Sequence, residues 1–350
     1  MSTLPLSRTF VAGVLCAALA ASACSSTDAG SDDVKSGGPA AGPAAGSTSD
    51  VAGSGAASPT TSTPGTSSAP DAGSPPAPAS GCGAALAKGT RDVNVSVGST
   101  TRSFRLHVPP SYDANKPTSL IVNFHGLQSD AFQEEWISKM TSASDAQGFV
   151  VAYPVGIGHS FNAGRCCGQA TQDGVDDVAF TRALVARIEA DACIDKKRVF
   201  ATGLSNGGHM AYRLACEMAD TFGAVASVAG VLSVTESACN PARPIPVLHF
   251  HGDADPIVPY DAGPTYGAPA SMNAFKKKYG CANASGTQAF QNGDATCIAY
   301  DGCSADLQLC TIAGGGHTWP GGNPIPFGKT SKDVDATQRM LQFFAAHPLP

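Results

Sequence analysis

Charge is scarce in this chain. Only 14% of its 350 residues are Asp, Glu, Lys or Arg. There are 22 cations against 28 anions, giving a net charge of −6 with histidine neutral. No basic excess is available for the cationic face that phosphate recognition needs, which argues against a nucleic-acid partner. Charged heptads are missing, so a long coiled coil is excluded. No apolar run reaches the ~20 residues of a membrane-spanning helix. Neither GxxxxGK[ST] nor a dinucleotide fingerprint stands in a suitable unit. No CxxC or paired-histidine spacing marks zinc, so the chain is expected to need no metal or other cofactor.

What is plentiful is Gly (39), Pro (25) and Cys (12). Much of the Gly and Pro lies in the first 80 residues. Arg8 precedes an apolar run from Phe10 to about Ala21, and small residues lead on to Cys24. Residues 1–23 therefore read as a secretory signal peptide. The ending ASAC resembles a bacterial lipobox, although Ala21 stands where that motif prefers Leu. The expectation is lipidation of Cys24, which would tether the protein to a membrane without spanning it. Residues 24–80 are nearly all Ser, Ala, Gly, Pro, Thr and Asp, with no aromatics and Lys35 as the one cation. Such a segment cannot offset its ordering entropy by burial, and is expected to be a disordered linker.

Residues 81–350 have the length of one domain. Strands are expected at 102–109, 119–126, 149–154, 198–202, 223–230, 246–252 and 307–312. Helices are expected at 130–147, 174–192, 206–218 and 333–346. Alternation on this scale predicts an α/β domain, with a mostly parallel sheet covered by helices on both faces.

The sharpest local signal is Gly203-Leu204-Ser205-Asn206-Gly207, a match to G-x-S-x-G. The strand RVFAT precedes it and the helical MAYRLACEM follows. A serine at such a turn projects its hydroxyl above the sheet, beside free N–H groups of a helix N-terminus. A serine nucleophile needs a base, and the base needs an orienting acid. In the expected order of Ser, acid and His, the loop HGDADPIVP offers Asp253 and Asp255. Asp255 is favoured because Pro256 to Pro259 would stiffen its loop. GGGHTWPGG then offers His317 as base, in a loop between the last strand and the last helix. Of the remaining histidines, His107, His125, His249 and His251 lie in or at the ends of strands, His159 precedes the nucleophile, His209 follows it by one turn, and His347 trails the last helix. Stabilising the oxyanion of a tetrahedral intermediate would fall to the N–H of Asn206 and that of Leu127, with Gly126 as the alternative to Leu127.

Together VNFHG, GRCCG…GVDDVAF, RVFATGLSNGGHMAYRLAC, HFHGDADPIVPY and GGGHTWPGG resemble the secreted polyhydroxybutyrate depolymerase/feruloyl esterase group of the α/β-hydrolases, which is related to carbohydrate esterase family 1. The resemblance covers about residues 91–346. It implies the α/β-hydrolase fold, with Ser205 as nucleophile, Asp255 as acid and His317 as base. It also implies ester hydrolysis on extracellular substrates, either hydroxycinnamoyl esters on polysaccharide or hydroxyalkanoate polyesters. No polymer-binding domain follows Pro350, which favours soluble or oligosaccharide-linked esters. The leading expectation is thus a secreted or surface-tethered serine esterase of the feruloyl type. A polyhydroxybutyrate depolymerase is the alternative, and a non-catalytic surface binding lipoprotein is the alternative of a different class. Trp319 and Phe161 are candidate aromatic walls for a phenolic acyl group, or else core residues.

Ten cysteines remain after Cys16 and Cys24, an even number that favours disulfides in an oxidising compartment. Cys281, Cys297, Cys303 and Cys310 precede His317 and are expected to staple its loop. Cys166 and Cys167 are not expected to pair with each other, because adjacent residues require strained backbone geometry. Asp176-Asp177 is expected to meet a helix dipole rather than a metal. Lys276-Lys277-Lys278 is expected on a solvated helix face.

Overall fold

A computed structural model describes residues 81–282 and 285–350. The expected signal peptide, Cys24 and the 24–80 linker lie outside the described residues. The sheet has ten strands in the order β1-β2-β4-β3-β5-β6-β7-β10-β9-β8. These are β1 (Gly89–Val97), β2 (Thr100–Val108), β3 (Thr118–Phe124), β4 (Val150–Pro154), β5 (Ile194–Gly203), β6 (Val225–Val228), β7 (Val247–Gly252), β8 (Thr287–Asn292), β9 (Ala295–Tyr300) and β10 (Leu307–Ile312). From β4 through β3, β5, β6 and β7 to β10 every pairing is parallel. Antiparallel pairs β1–β2 and β8–β9 close the two edges.

The central strands are apolar on both faces, as a doubly covered parallel sheet requires. In β3, Leu120, Val122 and Phe124 enter one core while Ile121 enters the other. In β4, Val150 and Ala152 likewise part from Val151 and Tyr153. This is the two-residue period of a strand, used on both sides. Edge strand β1 shows the same period with every second residue exposed. Its pattern TRDVNVSV is too polar to stand out as a buried run, and its pairing with β2 supplies what the local sequence does not.

The expected helix over 130–147 is two helices, α1 (Ala131–Ser138) and α2 (Met140–Gln147), with Lys139 between them at φ 54°. Asp130 caps α1 by accepting from the Gln133 N–H at 2.8 Å. Ser138 Oγ donates to Glu134 O at 2.7 Å and accepts from Met140 N at 3.3 Å, which anchors the bend. Next come the short α3 (Gln169–Gln172), α4 (Asp177–Asp191), α5 (Asn206–Glu217), α6 (Ala268–Tyr279) and α7 (Ala336–Ala346). Asp176 caps α4, and buried Asp177 in its first turn pairs with Arg102 at 2.8 Å. Arg102 in turn lies 4.0 Å over the Phe180 ring. The acidic pair thus ties a helix start to β2. The three lysines occupy the last turn of α6, where cations suit the dipole. Among the described residues no helix is long and apolar enough to cross a membrane.

All ten cysteines from Cys82 onward are paired: Cys82–Cys193, Cys166–Cys167, Cys216–Cys239, Cys281–Cys303 and Cys297–Cys310. The neighbours Cys166 and Cys167 do bond to each other, against the sequence expectation, and their peptide link is cis. The four cysteines before His317 brace what lies beneath its loop rather than the loop itself. Cys297–Cys310 joins directly opposed positions of β9 and β10, and Cys281–Cys303 ties the end of α6 to the turn after β9.

Candidate active site

β5 ends at Gly203 and α5 begins at Asn206, leaving two residues to reverse the chain. Ser205 sits in that turn at φ 57°, ψ −118°, a conformation L-residues rarely adopt. Its N–H donates to Val228 O at 2.8 Å, which holds the turn against β6. The turn also needs an absent side chain: a Cβ on Gly207 would lie 2.0 Å from Phe124 O. Leu204 and Asn206 are buried, and Ser205 between them is only half-buried. Ser205 is therefore partly accessible at the positive end of α5.

Asp255 and His317 come from the loops after β7 and β10, neighbours in the sheet. His317 Nδ1 lies 2.7 Å from Asp255 Oδ2, and both side chains are buried. The other carboxylate oxygen accepts the N–H groups of Ile257 at 2.8 Å and Val258 at 2.9 Å. Burial alone would raise the Asp255 pKa. Hydrogen bonds from His251 and His317, the His317 charge and the Ile257 N–H outweigh it and hold this carboxyl well below its ordinary range. Asp253 points elsewhere: its Oδ1 accepts Gly314 N–H at 2.6 Å and braces the loop that carries His317.

Gly126 lies against the nucleophile, since a Cβ there would be 3.4 Å from Ser205 Cβ. The loop that follows is held by His125, whose Nδ1–H donates to Gly126 O at 2.8 Å while Nε2 accepts Gly156 N–H at 3.0 Å. The acceptor role of Nε2 requires a neutral ring, and burial pushes the His125 pKa down to about 4. Gln128 N donates to His159 O and Ser129 N to Gly126 O, so the two backbone donors that follow Leu127 are engaged within the protein. The Asn206 N–H is one of the first-turn donors that a helix cannot satisfy itself.

The two candidate wall residues are both fully buried. Trp319 turns into the core, where Nε1 donates to Thr337 Oγ1 at 3.0 Å. The Phe161 ring packs edge-on to Phe124 at 5.1 Å and tilted on His125 at 4.6 Å. Their side chains serve packing, and the acyl-wall expectation for them is withdrawn. Phe161 still bears on the site through its backbone, which binds the Asn206 side chain at both ends. Sequence reasoning missed the Cys166–Cys167 bond here, with Cys167 Sγ 3.7 Å from Asn206 Nδ2. The adjacent pair in GRCCG was its signal. His209 is a structural imidazole: Nδ1 meets Val231 and Ser233, and burial pushes its pKa down to about 4.

The family described as "Esterase PHB depolymerase" matches residues 102–279, half of the chain. The chain belongs to this esterase family. Members carry out carboxylic ester hydrolysis, so this protein is a carboxylic ester hydrolase. A relative named as an esterase, NocK of Nocardia uniformis subsp. tsuyamanensis, is 34% identical over 281 residues, covering 71% of this chain and 80% of the relative. Feruloyl esterase B of Piromyces equi is 33% identical over 228 residues, covering 60% of this chain and 41% of that larger protein. The solved acetyl xylan esterase from Aspergillus awamori superposes with a TM-score of 0.51 at 16% identity, covering 73% of this chain and 99% of that one. That likeness shows the α/β-hydrolase fold.

Proposed function

We propose that the protein is an extracellular feruloyl-type serine esterase working through Ser205, His317 and Asp255. The observation that carries the assignment is the 2.7 Å bond between His317 Nδ1 and the buried Asp255 carboxylate. That bond fixes the tautomer in which Nε2 is the free base. Nε2 takes the Ser205 proton as Oγ attacks the ester carbonyl. The developing oxyanion is received by the N–H groups of Asn206 and Leu127, which supply roughly 3 kcal/mol each of transition-state stabilisation. His317 then protonates the departing alkoxide and activates water to hydrolyse the acyl-enzyme.

The relatives' names support a hydroxycinnamoyl acyl group. The family description supports a polyester as the second reading. Five disulfides support an oxidising, extracellular setting. Residues 1–23 direct export, and Cys24 with the 24–80 linker tethers the domain to a surface. The test is hydrolysis of methyl ferulate, acetyl esters and a hydroxybutyrate emulsion by the full chain and by Ser205→Ala. Fast ferulate release that is lost in Ser205→Ala supports the proposal. Clearing of the emulsion without ferulate release selects the polyester reading, and activity retained by Ser205→Ala refutes the mechanism.

A further inference from the structure

A chain of buried polar side chains lies behind Asp255 and takes no part in the mechanism above. His249 and His251 stand two apart on β7 and so share one face of the sheet. Tyr212 lies on α5, seven residues beyond the nucleophile. Tyr212 Oη is 2.6 Å from His249 Nδ1, and His249 Nε2 is 2.9 Å from His251 Nδ1. His251 Nε2 is 2.9 Å from Val258 O and 3.4 Å from Asp255 Oδ2. All three side chains are essentially without solvent exposure.

The end of this chain fixes its first bond, and the remaining directions follow for a neutral His251. A carbonyl oxygen only accepts, so His251 Nε2 carries hydrogen. With His251 neutral, its Nδ1 is an acceptor and His249 Nε2 must donate to it. His249 Nδ1 then accepts, and the Tyr212 hydroxyl donates. Burial, with His251 and His209 nearby, holds His249 well below its ordinary pKa, consistent with a neutral ring. Every member has a partner, so the network escapes the penalty for buried unpaired groups and gains the rigidity of a satisfied one. Around it, the Tyr260 ring is 5.8 Å from His251 with its hydroxyl on Thr311, and the Tyr212 ring stacks on Phe275 at 5.7 Å.

We propose that Tyr212, His249 and His251 form a positioning relay for Asp255, in which the one His251 Nε2–H, bonded to Val258 O at 2.9 Å and 3.4 Å from Asp255 Oδ2, is shared with the carboxylate that orients His317. The relay runs from the helix that follows Ser205 to the loop that carries the acid, and so sets the spacing between nucleophile and acid. Asp255 Oδ1 is pinned by two backbone N–H groups, and Oδ2 stands between His317 and His251. The carboxylate therefore cannot rotate away when His317 becomes charged. This inference rests on the assignment of Asp255 and His317 as acid and base.

The test uses the full chain with a soluble ester and four variants: His251→Phe, His251→Gln, Tyr212→Phe and Asp255→Asn. His251→Phe removes the donor, and kcat is expected to fall at least tenfold with KM within twofold. His251→Gln can place an amide N–H near the Nε2 position and is expected to recover most of that loss. Tyr212→Phe removes the terminal donor and is expected to lower kcat by a smaller factor, again without moving KM. With 15N-labelled histidine, the low-field proton resonance of the His317–Asp255 bond is expected to move in His251→Phe and to return in His251→Gln. If His251→Phe fails to fold, the Gln and Tyr212 variants carry the comparison. An unchanged kcat in the His251 and Tyr212 variants overturns the relay, as does a loss that tracks melting temperature while the resonance stays in place. Full activity in Asp255→Asn instead overturns the underlying acid assignment. Loss in Asp255→Asn with none in the His251 variants defeats the relay alone.

Discussion

The Asn206 side chain and the Phe161 backbone hold each other at both ends: Asn206 Oδ1 accepts Phe161 N–H at 2.7 Å, and Asn206 Nδ2 donates to Phe161 O at 3.0 Å. A backbone oxyanion donor cannot be deleted by a side-chain change, but this brace gives access to one. Asn206→Ala frees the start of α5 and strands two buried backbone groups at about 1–3 kcal/mol each. We expect kcat to fall about 10- to 100-fold and the melting temperature to drop. Unchanged kcat in a folded variant would show that the brace does not orient the Asn206 N–H.

Two carboxylates in one loop should respond very differently to amide substitution. Asp255→Asn keeps the shape but loses the charge that orients and stabilises the imidazole, and kcat should fall by about three to four orders of magnitude. Asp253→Asn should leave kcat within about threefold, because its carboxylate bonds the Gly314 N–H rather than His317. Comparable losses in both variants would reverse the assignment of the acid.

Stability should depend on pH through a buried carboxyl outside the proposed triad. Glu134 is fully buried, and its two carboxyl oxygens and the neighbouring Asn123 Oδ1 have no other partner. A proton on Glu134 spares the buried carboxyl the cost of an unpaired charge. Burial pushes the Glu134 pKa up to about 8, from 4.5 for the free side chain. Between those values the folded state keeps a proton that the unfolded chain has released. This contribution is full below about pH 4.5 and is lost as pH rises through about 8, amounting to as much as about 5 kcal/mol. Glu134→Gln has no such proton, so its melting temperature should fall less than that of the wild type between pH 5 and 8. Parallel curves for the two proteins would refute the neutral carboxyl.

Cys297–Cys310 closes a 13-residue separation across the two strands that lead into the His317 loop. Replacing both cysteines with Ala should cost about 2–4 kcal/mol of stability, mostly by releasing the unfolded chain. At temperatures well below the transition, ester turnover should survive, because the loop itself is held by Gly316 N to Lys329 O and His317 N to Phe327 O. Thermal melts and turnover at 20–25 °C check the two halves of this expectation.

Much of the scaffold was legible in the sequence because its signals are local. Apolar runs of strand length marked β3, β4 and β7, and Gly203 to Gly207 marked the turn at Ser205. The β8–β9 hairpin escaped notice, since β8 is largely exposed, and α6 was marked only by the lysines of its last turn because it carries a polar face. The break at Lys139 escaped too, because it depends on Ser138 Oγ bonding across the bend.

The sequence by itself determined the order and placement of the chemistry: a serine at a strand-to-helix turn, then carboxylates, then a histidine, each in a loop after a strand. Composition likewise determined that the cysteines could pair. Tertiary structure decided which partners meet. It turned Asp255 rather than Asp253 toward His317, buried Trp319 against Thr337, joined Cys166 to Cys167, and lined up Tyr212, His249 and His251 behind the acid. Each of these depends on sheet register and on packing between segments distant in the chain. No local periodicity encodes such contacts, which form only when the strands are laid side by side.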